Sequence, residues 1–209
     1  AVMEKTGNTL YALFNNGAYG LPGAVEDLGR DALREQFEVN LFGTHELTTL
    51  AIPGMRRQGY GRIIQNSSLL GYVALKYRGA YNASKYALEG LTDTLRMELS
   101  GSGICVSLIE PGPIQSHFRL NAWRAFRQRI DSSRSHHSVA YAALADRLQT
   151  EGPVAPFTLG PESVLTCVIH ALESDRPKVR YRVTFPAHLF ACLKRVLPDR
   201  VMDKILARI

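Results

Sequence analysis

The amino-acid sequence predicts an α/β protein built on a doubly wound parallel sheet. Three observations carry that prediction. Short apolar runs end in turns at residues 9–16, 61–68, 104–114 and 179–184. Stretches with helical spacing separate them, which is the alternation that lays a parallel sheet between two helix layers. Polar or turn-forming residues then gather where the runs stop: Asn16 after the first, Ser68 after the second, Pro111 and Gly112 after the third. The carboxyl ends of parallel strands are where such sheets bind their ligands.

Each element has its own local signal. The run TLYALFNN stops at Asn-Asn-Gly, as a buried strand entering a turn does. From Asp31 to Met55, Leu33, Phe37, Leu41, Leu47, Leu50 and Ala51 recur at helical spacing, with Gly43 as a soft point. GRIIQNSS, residues 61–68, reads as the second strand. The stretch 80–100 is helix-forming and stops near Gly101, where a terminating glycine is expected. ICVSLIEPGPI is the third strand with its Pro-Gly turn. A polar and aromatic insertion follows at about 114–158, in which Phe118, Leu120, Trp123, Phe126 and Ile130 suggest a helix with an aromatic face. That face suits either a lid over a pocket or ordinary packing against the domain. A helix after Pro161, the β-branched run VRYRVT at 179–184 and a helical tail from about 186 to 209, divided at Pro198, complete the chain.

The 209 residues, 45% of them apolar, suffice for one substantial core, and no shift in composition marks a second domain. The net charge of +6 is moderate. No nucleic-acid motif accompanies it, so no nucleic-acid partner is expected. Cys105, Cys167 and Cys192 stand far apart, unlike a disulfide framework or zinc site, and suit free thiols in a reducing, cytoplasmic setting. His136 and His137 are adjacent and lack a ligand pattern, so no metal is expected; His45, His117, His170 and His188 read as structural. In the tail, Leu189, Leu193, Leu197, Val201, Ile205 and Ile209 fall four apart among basic residues. This pattern admits peripheral contact with a membrane surface, although a helix covering the lid or a partner subunit is the favoured reading.

The segment GAYNASKYALEG, residues 79–90, carries the chemistry. Tyr81 and Lys85 are four apart and lie on one helix face. A phenol titrates ordinarily near pH 10, and a cation beside it favours the phenolate. So tuned, the phenol can give a proton to a carbonyl oxygen or take one from an alcohol. Ser68, thirteen residues before Tyr81 at a strand end, could hold that oxygen.

The ordered set NNGAYG, VNLFGT, NSSLLGYVALKYRGAYNASKYAL and PGPIQS resembles the short-chain dehydrogenase/reductase family over residues 1 to about 175. The extended insertion and PGPI are similar to its retinol- and hydroxysteroid-dehydrogenase-like branch. The resemblance implies a Rossmann-like fold and an NAD(P)-dependent oxidoreductase interconverting a carbonyl and an alcohol; the basic balance of the chain favours NADP over NAD. The resemblance also implies Tyr81 as acid and base, Lys85 lowering its pKa and holding the cofactor ribose, Ser68 orienting the substrate oxygen, and Asn40 sustaining a water-linked proton path. Asn16, Gly17, Pro111, Gly112, Ile114 and Ser116 would line the cofactor together with Tyr81 and Lys85. Two departures from the family pattern are Asn-Asn-Gly-Ala in place of Asn-Asn-Ala-Gly, and Ser116 in place of threonine.

By the same resemblance, the insertion is a substrate lid. A bulky apolar substrate is then expected: a retinoid, a steroid, or a long or aromatic aldehyde. A homo-oligomer joined through helices at 31–57 and 80–100 is likewise implied. The family's opening strand and glycine-rich turn do not precede LYALFNN, and AVMEKTGN resembles the end of a helix. At 30 or more residues per β-α-β unit, the absent elements are expected to amount to about 75 residues. The chain is therefore expected to be a single partial domain over 1–209, a fragment lacking its N-terminal strands and helices. The alternative function is a non-catalytic remnant that serves assembly or partner binding.

Overall fold

The four apolar runs form parallel strands in the computed structural model, which describes residues 2–7 and 9–209, with side chains from residue 4 onward. Strands β1 (Ala12–Asn15), β2 (Gly61–Asn66), β3 (Ile104–Glu110) and β4 (Arg180–Arg182) lie side by side in that order. Phe14 stands opposite Ile64, Ile64 opposite Ser107, and Ile109 opposite Tyr181. Every strand is shorter than its apolar run because the flanking residues make turns; Ser67 and Ser68, for instance, lie past the end of β2. Ala1 and Asn8, in the stretch read as a helix end, lie outside the described residues. Val2–Lys5 between them forms the short helix α1.

The helices cover both faces of the sheet. Helix α2 (Arg30–Phe37) passes through one wide π turn (Glu38–Phe42) into α3 (Gly43–Gln58), and α4 spans Gly79–Glu98. Side chains alternate across a strand, so Ile63 and Ile64 face opposite layers. Ile63 packs with Ala51 and Met55 of α3 and with Leu99, Ile104 and Val106. Ile64 packs with Ile109, Tyr181, Val168 and Ala171, the last two from α7 (Glu162–Glu173). Met55 and Ile63 are wholly buried, which stabilises the fold by about 1.5–3 kcal/mol for each such side chain. The stripe expected over 31–55 is only partly a core stripe: Leu33, Leu47 and Leu50 are exposed. The irregularity expected at Gly43 is the π turn just before it. Its extra residue per turn rotates the following helix and leaves Asn40 and Leu41 facing inward.

The insertion is ordered and has a core of its own. Helices α5 (Phe118–Arg129) and α6 (Ser138–Gln149) bring Ala122, Phe126, Ile130, Tyr141, Leu144 and Leu148 against Leu21, Ala24, Ala32 and Ala80. Its neck is closed where Ile114 bridges Leu159, with Gln115 N–H donating to Leu159 O at 2.9 Å. Packing against the domain therefore accounts for only part of the aromatic face. Phe126 and Ile130 are core, whereas Phe118 and Leu120 are exposed.

The tail forms α8 (Phe185–Val196) and α9 (Asp199–Leu206). Its docking face is Ala187, Ala191 and Met202; Leu189 and Val201 of the four-apart stripe are exposed. Small residues decide the contact, since Ala187 lets the α8 backbone come close enough for its carbonyl to accept from Tyr72 Oη at 2.7 Å. Among the described residues, no helix is long and apolar enough to cross a membrane.

Candidate active site

The site forms where β1, β2 and β3 end and α4 begins. Lys85 is 2% exposed, and its Nζ donates to the carbonyl of Asn66, the last residue of β2, at 2.7 Å. The ammonium stands 5.7 Å from the centroid of the Tyr81 ring. Tyr81 is 8% exposed. Ser68 starts the turn after β2, with its Oγ accepting from Leu70 N–H at 3.1 Å. That turn is tied to the exit of β3, because Ser67 N–H donates to Ile109 O at 2.8 Å and Leu69 N–H to Pro111 O at 2.7 Å. Backbone hydrogen bonds thus hold together segments some forty residues apart in the chain.

The electrostatics differ from the sequence expectation. Burial pushes the Tyr81 phenol up to about 12, and the influence that opposes it is a hydrogen bond from the Ser68 side chain. The effect assigned to Lys85 is not seen at Tyr81, because taking the phenol out of water disfavours its anion more than a cation beyond hydrogen-bond reach favours it. Lys85 itself is pulled down to about 8 by burial, with the Glu89 carboxylate opposing.

Asn40 is buried in the π turn, and its amide is fully engaged. It accepts from Tyr19 N–H at 3.1 Å and donates to Tyr19 O at 2.9 Å and Ser84 Oγ at 3.1 Å. Ser84 Oγ donates in turn to Tyr81 O at 2.8 Å. Asn40 therefore staples the loop after β1 to the first turn of α4, and its side chain does not contact the Tyr81 phenol. Asn16 and Gly17 are exposed at the end of β1, with Asn16 Oδ1 accepting from Asn66 Nδ2 at 2.6 Å. Pro111, Gly112 and Ile114 line the exit of β3 half-buried, and Ser116 Oγ accepts from Phe118 N–H at 3.3 Å.

Two participants, Asn66 and Asn15, were not singled out from the sequence, and a third, Phe118, was expected only as one of an aromatic helix face. Asn66 carries a buried Oδ1 without a hydrogen-bond partner; its signal was a polar residue closing an apolar run. Asn15, not Asn16, makes the buried amide contacts, donating to Gln65 Oε1 at 2.9 Å and Thr48 Oγ1 at 3.0 Å. Phe118 sets its ring edge-on to Tyr81, centroids 5.3 Å apart. Gly20 permits this approach, since a Cβ there would stand 2.7 Å from Phe118 Cζ.

The family model for short chain dehydrogenase matches residues 1–125. The chain belongs to the short chain dehydrogenase family. It is 45% identical over 205 residues to the uncharacterized oxidoreductase YbbO of Escherichia coli, covering 98% of this chain and 70% of that one. Human 17-beta-hydroxysteroid dehydrogenase type 1 is 33% identical over 172 residues, 81% of this chain and 51% of that protein. Among solved structures, a short chain dehydrogenase/reductase of Burkholderia phymatum in complex with NAD superposes with TM-score 0.73 at 24% identity, over 98% of this chain and 69% of that one. A short chain dehydrogenase of Burkholderia cenocepacia in complex with NADP gives 0.69 at 22%, over 98% and 72%. Both show the doubly wound, Rossmann-like fold. This short chain dehydrogenase is accordingly an oxidoreductase of that family. Its strand ends suit the family's dinucleotide: the orphaned Asn66 Oδ1 and the Lys85 ammonium, which is held on the backbone carbonyl of the same residue, match a ligand that offers both hydroxyl donors and acceptors.

Proposed function

We propose that this short chain dehydrogenase interconverts a carbonyl and an alcohol with a nicotinamide cofactor, at a site made by Tyr81, Ser68 and Lys85. The meeting of the buried Lys85 ammonium, fixed on Asn66 O, with the buried Tyr81 ring 5.7 Å away, where the Ser68 hydroxyl favours the phenolate, carries the reading. In reduction, Ser68 orients the carbonyl oxygen, and the Tyr81 hydroxyl donates its proton to that oxygen as the carbonyl carbon gains hydride. In oxidation, Tyr81 takes the alcohol proton as the carbon loses hydride. The cofactor, when bound, supplies or accepts that hydride. Asn16, Gly17, Asn66, Lys85, Pro111, Gly112, Ile114 and Ser116 would hold it, and the basic net charge favours NADP. Asn40 positions the Tyr19 loop and, through Ser84, the Tyr81 turn.

The substrate we assign is bulky and apolar, of retinoid, steroid or aromatic aldehyde type. The support is local: Phe118 meets the Tyr81 ring, and Leu120 is exposed on the same lid helix. We also assign a homo-oligomer, because Leu47, Leu50, Leu91 and Met97 leave α3 and α4 with exposed apolar side chains. The remnant reading is not favoured, since a remnant would have no reason to keep Lys85 buried against Asn66 and beside Tyr81.

Thermal unfolding with saturating NADPH or NADH tests the cofactor, because a ligand of the native state raises the midpoint. Reduction of retinal, a 17-ketosteroid and benzaldehyde, followed by loss of reduced-cofactor absorbance, tests the chemistry. A raised midpoint with turnover is expected; neither shift nor turnover defeats the reading.

A further inference from the structure

Helix α4 carries Tyr81, Lys85, Glu89 and Asp93 at four-residue steps, so one face runs from the phenol through the ammonium to two carboxylates. Among the described residues, no carboxylate lies at ion-pair distance from the Lys85 ammonium. A cation so buried tends to lose its proton rather than stay charged. The Glu89 carboxylate, one turn along, is the group that resists this.

Glu89 is itself 8% exposed; Arg180 holds its Oε2, while its Oε1 is buried without a hydrogen-bond partner. From β4, Arg180 Nη2 donates to Glu89 Oε2 at 3.1 Å and to Asp93 Oδ2 at 2.6 Å. Arg180 Nε stands 2.8 Å from Glu110 Oε1 of β3, and Arg182 Nε 3.2 Å from Glu110 Oε2, at ion-pair distance without hydrogen-bond direction. On the side of the site, Glu89 lies under the turn that begins at Ser68. A Cβ on Gly71 would stand 2.7 Å from Ser67 Oγ and 2.9 Å from Glu89 Cγ. Tyr72, from the same turn, faces both Glu89 and Glu110. Burial pushes Glu89 up to about 7 and Glu110 adds to that, while Ser67 and Arg180 favour the carboxylate.

We propose that Glu89 is a positioning residue for the Tyr81–Lys85 pair: clamped by Arg180 beneath the turn that carries Ser68, its carboxylate keeps the buried Lys85 side chain an ammonium. The catalytic half of this proposal rests on the oxidoreductase function proposed above; the electrostatic half stands without it. The sign follows directly. Losing the carboxylate removes an attraction present only for the charged amine, so the Lys85 midpoint falls toward neutral pH. A neutral Lys85 is a weaker donor to the cofactor it is proposed to hold, and activity would fade at lower pH than in the unaltered protein. Loss of Arg180 acts the same way but less, because it lets Glu89 take up a proton.

The test is heteronuclear NMR titration of lysine-labelled full chain, with the Lys85 signal assigned by its absence in Lys85→Met. Glu89→Gln should lower the Lys85 midpoint by about one pH unit. Arg180→Met should lower it by less, and Arg180→Lys should restore it. An unmoved or raised midpoint in Glu89→Gln overturns the proposal; should that variant not fold, an unmoved midpoint in Arg180→Met does so. With NADPH and retinal as probes, the alkaline limb of kcat/KM should move with the midpoint. A moved midpoint with an unmoved limb overturns the catalytic half. A moved midpoint in a chain without turnover at any pH defeats the oxidoreductase reading and supports the electrostatic half.

Discussion

The wall made by β2, β3 and α4 at the strand ends differs from the insertion packed beside it, proposed above as a lid, in how its side chains are held. On the wall, Lys85 donates to a strand carbonyl and the Ser68 turn is bonded to β3 through two backbone contacts. Behind it, Asn15, Gln65 and Thr48 close a buried polar network. The lid touches the proposed acid and base with one ring, Phe118 on Tyr81. At its far end it is fastened by Glu26 to His137, by Asp27 to Ser135 and Tyr141, and by packing around Tyr141. Protein interiors respond to small displacements, whereas exposed contacts adjust. The wall therefore suits a reaction that needs fixed distances, and the lid suits a choice among substrates that leaves the chemistry alone.

That contrast is broken most severely at Tyr81. Tyr81→Phe keeps the ring and its contact with Phe118 but removes the proton that is transferred, so kcat/KM should fall by about 10²–10⁴-fold. The NADPH-induced rise in unfolding midpoint should persist. Normal turnover in this variant would remove Tyr81 from the mechanism and leave the wall without a reacting group. Next comes the wall as scaffold. Asn15→Leu leaves the buried Gln65 Oε1 without its donor, and should lower unfolding free energy in urea by about 1–3 kcal/mol. A neutral result would mean that the buried network does not stiffen the wall.

The wall was also the more legible region. Ser68, Tyr81 and Lys85 could be placed from sequence because helix geometry fixes a four-residue step and a strand end fixes where its next residue points. The alternation of runs and helices likewise gave the sheet, since period is a local property. What could not be read depends on contacts between distant segments. Glu89 meets Arg180 across 91 residues, and Phe118 reaches Tyr81 over a long connection. Asn40 was expected at the site only through the family resemblance, and the turn that directs its amide to Tyr19 leaves no mark in hydrophobic spacing. The acidity of Tyr81 was misjudged for the same reason: a neighbouring lysine is visible in the sequence, and the degree of burial is not. In the tail, bulky residues four apart drew attention while the alanines beside them made the contact.

The lid should yield smaller, more selective effects. Phe118→Ala removes an apolar surface beside the phenol, so relative kcat/KM for retinal against benzaldehyde should change by about tenfold while the slower chemical step for benzaldehyde is unaltered. An equal loss on both substrates would make Phe118 part of the wall.

The smallest effect is expected at the lid's outer fastening. The Glu26–His137 contact is short, but the carboxylate side chain is 63% exposed, where water screens the attraction and ordering two side chains offsets it. His137 also rests edge-on against the Tyr77 ring, centroids 5.5 Å apart, and that contact does not depend on Glu26. Glu26→Gln should therefore change unfolding free energy by less than about 1 kcal/mol and leave the retinal-to-benzaldehyde ratio unchanged. A loss exceeding that of Asn15→Leu would reverse the comparison: the lid would be held by its rim, and the buried network of the wall would be the more dispensable part.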